Sequence, residues 1–361
     1  MNQTLNKALG CLIGGAIGDA LGYPIEFCTE SHIQSCYGFV DHFLGKPEIS
    51  DDTQMAIYTA ISFPYARVQG FDPSDVGLLA RFYLRWFEGQ MEIKDGSSPA
   101  FLRDVEHFND NRAPGNTCLS ALSLYRESGV YATIKKPYNT SKGCGGVMRA
   151  APIGVGFATL DGYGLNDAIK LGAESSALTH GNELGWMPGA YLAGLVYLLM
   201  TEEGDLLALA KRALEATKDV YGAFRRFDAF ESIVSQAISL SKQEVKDIDA
   251  IHALGEGWVG EEALAISLYC ALKHSCDFRL AIAVAVNHKG DSDSTGAITG
   301  NILGAYLGLE EVKRNFPEAE QVEFYDLIEE VGRDMVEPDP LGDEKYADPE
   351  NKGQAFHRYK E

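Results

Sequence analysis

Apolar residues recur at every third or fourth position over most of the chain. The stretches 51–62, 75–86, 116–127, 184–200, 206–220, 230–240 and 261–272 all carry this spacing. On an α-helix it gathers the apolar side chains onto one face. Residues 281–286 form an unbroken apolar run, compatible with a short buried strand or, given its alanines, a helix. Strict alternation joined by hairpin turns is scarce, so the pattern predicts an all-α fold. Gly, Pro, Asn, Asp and Ser cluster in 38–48, 95–100, 110–115, 138–146 and 254–260, which are expected as loops. Nothing in between divides the chain, so we expect a single compact many-helix domain over 1–335. Residues 336–361 are Pro-rich, charged and weakly periodic, and are expected as a loosely ordered tail.

Glycine has its own period. Gly10, Gly14, Gly18 and Gly22 recur every four residues, as do Gly296, Gly300, Gly304 and Gly308; a third row is Gly181, Gly185 and Gly189, continued by Ala193. Residues four apart share a helix face, and each glycine there costs about 1 kcal/mol against alanine. Rows of this kind point to helix backbones in close approach. No G-x-G-x-x-G occurs in the first row, which excludes a dinucleotide or P-loop site there.

The composition, 45% hydrophobic and 23% charged over 361 residues, is that of a globular protein able to bury a core without staples. The formal net charge of -21 repels nucleic acid and anionic lipid, so neither is an expected partner, while an acidic cleft would attract divalent cations. The 7 cysteines show no C-x-x-C pair and no zinc-finger spacing, and the expectation is a reduced, cytoplasmic monomer. The apolar segment 8–17 has only Lys7 close before it and runs into Asp19 without a clean cleavage site, so no signal peptide is expected. No uninterrupted apolar stretch approaches the ~18 residues of a membrane span.

Two segments concentrate the candidate chemistry. Ser50-Asp51-Asp52-Thr53 precedes one amphipathic stretch, and Asp291-Ser292-Asp293-Ser294-Thr295 precedes the second glycine row. Alone, each reads as a capped, acidic helix start. A cap needs one oxygen, whereas these two supply four carboxylates and several hydroxyls. If they converge, the like charges need neutralising, which hard cations such as Mg²⁺, Mn²⁺ or Ca²⁺ do through oxygen ligands. Two ions bridged by an Asp can position a water or a substrate hydroxyl.

The glycine-rich turn Ser141–Gly146 can be an anion nest or an ordinary turn. The turn Arg112-Ala113-Pro114-Gly115-Asn116-Thr117 leads into a helix and would also suit an anion. Glu26 reads as a solvated loop acid or a site carboxylate, and His180, after Thr179, as a hydrogen-bonded structural histidine, a ligand or a base. Asp19, in a Gly/Ala helix, is expected to satisfy buried donors and has no catalytic role. Cys144 has no histidine at a readable spacing and is not expected to be a nucleophile. The pattern Asp291-x-Asp293-x-Thr295 is shared with aspartyl-phosphate phosphatases, but it leads here into a glycine helix near the C-terminus.

Six motifs in order carry a resemblance: Gly18-Asp19-Ala20-Leu21-Gly22 with Glu26-Phe27; Ser50-Asp51-Asp52-Thr53; Arg112-Ala113-Pro114-Gly115; Gly143-Cys144-Gly145-Gly146 with Met148-Arg149-Ala150; Thr179-His180; and Gly290-Asp291-Ser292-Asp293-Ser294-Thr295. Over 9–308 the chain resembles the ADP-ribosylglycohydrolase family, most closely its ADP-ribosylarginine hydrolases and dinitrogenase-reductase-activating glycohydrolases. The resemblance implies an all-α fold with a binuclear Mg²⁺ or Mn²⁺ centre at helix N-termini. It implies Ser50, Asp51, Asp52, Asp291, Asp293 and Ser294 as metal ligands, with Asp51, Asp52 and Asp293 as catalytic carboxylates. It implies that Glu26, the turn Gly115, Asn116 and Thr117, the loop Gly143, Cys144 and Gly145, and His180 meet ADP-ribose. The implied reaction is hydrolysis of the N-glycosidic bond of ADP-ribosylated arginine on a protein. The chain departs from these relatives at Gly181-Asn182-Glu183, where a His-rich run can follow the Thr-His pair, and over 206–253, where few positions match. The target therefore stays open, as do another linkage (serine, O-acetyl-ADP-ribose or a nucleic-acid adduct) and ADP-ribose binding without turnover.

Overall fold

All seven stretches with helical spacing are helices. The computed structural model describes residues 1–93, 102 and 105–337; among these are sixteen α-helices and, in place of strands, two isolated bridges. In chain order they are α1 (Gln3–Gly22), α2 (Glu30–Cys36), α3 (Asp51–Gln69), α4 (Val76–Gln90), α5 (Asn116–Ser128), α6 (Ala151–Ala158), α7 (Leu165–Ala177), α8 (Glu183–Thr201), α9 (Leu206–Tyr221), α10 (Phe227–Leu240), α11 (Asp247–Leu254), α12 (Gly260–Lys273), α13 (Phe278–Val286), α14 (Ser292–Leu307), α15 (Leu309–Asn315) and α16 (Tyr325–Val336). The ambiguous run 281–286 is the body of α13. Asp277 caps that helix by accepting the Leu280 N–H at 3.0 Å. The expected loop 95–100 lies outside the described residues, as does the tail beyond Glu337, while Val336 ends α16.

The first two glycine rows meet face to face. Helices α1 and α14 run antiparallel, with Gly10 against Gly304, Gly14 against Gly300, Gly18 against Gly296 and Gly22 against Ser292. A methyl group on Gly300 would stand 1.9 Å from the Gly14 carbonyl oxygen, and one on Gly18 would stand 2.0 Å from that of Gly296. No side chain fits, so carbonyls of one helix lie against α-carbons of the other, where weak Cα–H···O contacts form. Gly308 leaves the row: it ends α14 with φ of 81°.

The third row is shorter than expected. Gly181 lies in the turn ahead of α8, because Asn182 caps that helix through the Leu184 N–H at 3.0 Å. Gly185 and Gly189 instead let α8 approach the 141–142 loop and Ser176 of α7. The segments Gln3–Ile25 and Glu183–Thr201 are long and apolar enough to cross a bilayer, yet the most apolar 18-residue window of each is 89% buried inside the fold. They are its core helices.

The antiparallel pair brings the C-terminal end of α1 to the N-terminal tip of α14. Gly300→Ala forces these backbones apart and is expected to cost about 3 kcal/mol. Gly204→Ala, on an exposed turn with 3.8 Å to the nearest atom, should cost under about 0.5 kcal/mol. Denaturant unfolding of the two variants checks this, and equal stabilities would refute the close-contact reading.

Candidate metal centre and substrate cleft

Three pieces of backbone fix the acidic residues. Ser50 caps α3, its side chain accepting the Asp52 N–H at 3.1 Å, while the Asp51 N–H donates to the Arg112 carbonyl at 3.1 Å. Asp19 of α1 grips the same turn. Its carboxylate accepts the Ser50 N–H at 3.1 Å, the Thr53 N–H at 3.1 Å and the Thr53 hydroxyl at 2.5 Å. Asp19 thus positions α3, in the buried role the sequence suggests. At the other tip Asp291 caps α14 through the Ser294 N–H at 3.3 Å, and the Asp291 N–H donates to the Glu256 carbonyl at 2.9 Å. The Ser292 hydroxyl donates to the Gly22 carbonyl at 2.9 Å, tying that tip to the end of α1.

The tips converge. Asp51, Asp52, Asp291, Asp293 and Ser294 line one cleft of about 300 Å³ together with Glu26, Gly115, Asn116, Thr117, Gly143, Cys144, Gly145 and His180. Ser50 lies beneath it, fully buried. Carboxylate oxygens of Glu26, Asp291 and Asp293 come within 4.8 Å of one another. The Asp51 carboxylate accepts the Gly115 N–H at 3.4 Å, so the α5 turn borders the acidic centre directly. The Cys144 thiol donates to Asp291, and burial pushes its pKa well up, which disfavours the thiolate.

Burial and mutual repulsion act on every acid here. Burial first, then the Asp293 charge, raises Asp19 to about 7 and Glu26 to about 10, and lifts Asp51, Asp52 and Asp291 well above the usual carboxylate range. Asp293 is also raised, chiefly by burial. The two helix N-termini contribute about half a positive charge each, too little for this many acids. Nearby cations are engaged elsewhere: Lys142 with Glu261, Arg112 with Glu323 at 3.0 Å, and Arg149 with Thr179 at 2.7 Å. Among the described residues none of the six carboxylates has an ion-pair partner. One oxygen, Asp52 Oδ2, is buried with no hydrogen bond at all. Clustered carboxylates, two serine hydroxyls and an orphaned oxygen form a donor set that suits hard divalent cations. Ser50, Asp51, Asp52, Asp291, Asp293, Ser294 and Glu26 are the residues able to hold them.

The sequence profile of the ADP-ribosylglycohydrolase family matches residues 1–344. The chain belongs to the ADP-ribosylglycohydrolase family. It is 25% identical to the ADP-ribosyl-[dinitrogen reductase] glycohydrolase of Rhodospirillum rubrum, over 85% of this chain and 87% of that protein. It is likewise 25% identical to the ADP-ribosylarginine hydrolase Tri1 of Pseudomonas putida, over 95% of this chain and 81% of that one. A solved structure titled "ADP-ribosylglycohydrolase-related protein complex" superposes with a TM-score of 0.65 at 20% identity, covering 93% of this chain and 99% of that one, so the fold is shared.

Within this glycohydrolase cleft, His180 is held by a relay that sequence reasoning missed. Arg149 is fully buried, with its guanidinium 4.3 Å from the Tyr83 ring centre, and it donates to the Ser175 carbonyl at 2.9 Å and to the Thr179 hydroxyl oxygen. The Thr179 hydroxyl has a better acceptor in His180 Nδ1 at 2.9 Å than in the Ser176 carbonyl at 3.4 Å. Donation to Nδ1 leaves the proton on Nε2, the ring nitrogen beside the Gly143–Gly145 loop. Burial, then the Arg149 charge, lowers His180 to about 3, so it is a neutral N–H donor at ordinary pH. The hydrogen-bonded structural reading of His180 therefore holds, and its ring also lines the cleft. Phe27 and Trp258 also line the cleft unforeseen. The available signals were the Glu26-Phe27 pair and a lone tryptophan among the glycines of 255–260.

The raised carboxyl values set a pH dependence for the metal-free protein. A carboxyl whose folded value exceeds its unfolded one stabilises the fold below about pH 4, and loses that contribution as pH rises through the folded value. The melting temperature of chelated protein should fall steadily between about pH 5 and about pH 9. Saturating Mn²⁺ should raise it and remove the slope, and Glu26→Gln should flatten the alkaline part. Scanning calorimetry of the chelated protein checks this; a flat profile would show that these acids are not mutually strained.

Proposed function

We propose that the chain hydrolyses the N-glycosidic bond between the distal ribose of ADP-ribose and an arginine guanidinium on a modified protein, using two divalent ions, Mg²⁺ or Mn²⁺. One observation carries the reading: the acidic centre and the two turns, Gly115–Thr117 and Gly143–Gly145, border a single cleft. Phosphates and sugars suit such turns, and a hydroxyl-bearing sugar suits a cation pair. The arginine linkage draws its support from the Pseudomonas putida relative, whose name specifies it.

The ions, when bound, would supply positive charge to the distal ribose hydroxyls and to a nearby water. The rest falls to the chain. The helix start at Asn116 and Thr117, the glycine loop around Gly145 and His180 hold the pyrophosphate and so place the reacting carbon. Glu26, Asp51, Asp52, Asp291 and Asp293 surround C1″ with negative charge, which favours the oxocarbenium-like character that develops as the bond to nitrogen breaks. Water adds to C1″, and its proton passes to a carboxylate of the centre. Asp52 or Asp293 would take that proton. The bonding pair leaves with the guanidine nitrogen, which takes up a proton. The products are ADP-ribose and unmodified arginine.

Incubation with an arginine-ADP-ribosylated protein should release ADP-ribose in Mg²⁺ or Mn²⁺ and not in chelator. Asp51→Ala and Asp293→Ala should each lower turnover at least about a thousandfold while helical circular dichroism is kept. Full turnover by either variant, or release in chelator at the metal-loaded rate, would refute the proposal.

A further inference from the structure

Phe27 is 72% exposed, although its neighbour Glu26 is drawn into the acidic cluster. Its backbone has φ of 65°, a region that bulky side chains avoid. Such a residue persists where the surroundings impose it, commonly at a ligand site. Here the turn closes by the Cys28 N–H donating to the Ile25 carbonyl at 3.0 Å. It aims the Phe27 ring outward onto Trp258, with ring centres 5.3 Å apart and planes 20° from parallel.

Trp258 is just as firmly placed. Its carbonyl accepts the Cys144 N–H at 3.3 Å, and the preceding Glu256 carbonyl accepts that of Asp291. The aromatic pair is thus anchored to the glycine loop on one side and to the α14 tip on the other, and both rings border the cleft.

We propose that Phe27 and Trp258 form a platform for the leaving group, selecting a planar cation, the guanidinium of a modified arginine, over a neutral hydroxyl-derived group. The inference deepens the proposed function and rests on it. Position decides which end of the substrate the rings meet. Phe27 is one residue from a carboxylate within 4.8 Å of Asp291 and Asp293, where the distal ribose would be held. The leaving group is bonded directly to C1″ of that ribose, whereas adenine is a pyrophosphate and a second ribose away. Chemistry decides the class. Guanidinium is flat, weakly hydrated and attracted to aromatic faces, tryptophan above all. A serine oxygen or an acetyl ester carries no such charge.

The test uses full-length, Mn²⁺-loaded protein with Phe27→Leu, Trp258→Leu and Phe27→Tyr. Phe27 is exposed, so its leucine variant should melt with the wild type, which keeps the test open if Trp258→Leu unfolds. On an arginine-ADP-ribosylated peptide, Phe27→Leu should lose about tenfold in kcat/KM and Phe27→Tyr should retain it. The preference for the arginine-linked over a serine-linked peptide should fall by the same factor. Affinity for free ADP-ribose, which lacks a leaving group, should change less than about twofold. Unchanged arginine turnover in Phe27→Leu, or an equal loss of ADP-ribose affinity, overturns the inference. A wild type that leaves the arginine conjugate uncut instead overturns the proposed function, and the two failures are distinct.

Discussion

The backbones of α1 and α14 lie in direct contact, and that contact sets where the chemistry can be. Glycine in a helix is unfavourable, and here three from each helix recur along one seam. What the seam gains is closeness: two helices from opposite ends of the chain run side by side with no side chain between them. The end of α1 then has to lie against the start of α14, and Ser292 is bonded to Gly22 although they are 270 residues apart in sequence. Asp19, one turn earlier on α1, holds the start of α3. A single helix thereby brackets both acidic tips.

That bracket forces an electrostatic conflict. The fold gathers five buried carboxylates and the half-buried Glu26 around a small volume and offers them helix N-termini, serine hydroxyls and backbone N–H groups but, among the described residues, no ion-paired cationic side chain. Arg149, buried nearby, is aimed at Thr179 and the Tyr83 ring and acts on His180 instead. Repulsion of this kind is tolerable only if protons or metal ions occupy the centre. The arrangement is thus poor for stability in the metal-free state and well suited to a cation-dependent reaction. The outward strain at Phe27 follows the same logic, since its backbone departs from the usual regions where the cleft meets solvent.

Much of this was legible along the chain, and for definite reasons. Helical periodicity marks elements that bury one face, so every such stretch lies inside a helix. The four-residue glycine spacing has few explanations other than backbone contact, and two of its three rows are that contact. The third overreaches at Gly181 because a capping residue, Asn182, interrupts it, and period alone does not register caps. The excess of carboxylates over what capping needs pointed to the acidic centre. The parts that stayed hidden depend on tertiary proximity. Arg149 is 26 residues from Ser175 and 30 from Thr179, and Phe27 meets Trp258 across most of the chain. Neither pair has a periodic or compositional signature. Residues 281–286 stayed ambiguous because a short apolar run lacks the polar positions that separate a strand from a helix.

The central claim is that two distant helix tips share a cation pair, and counting bound ions tests it most directly. Metal-free protein should be titrated with Mn²⁺ while free and bound metal are measured by electron paramagnetic resonance. The account predicts two ions per chain at saturation, with sites lost in Asp52→Ala. No binding at millimolar Mn²⁺, or binding unaffected by that substitution, would contradict it.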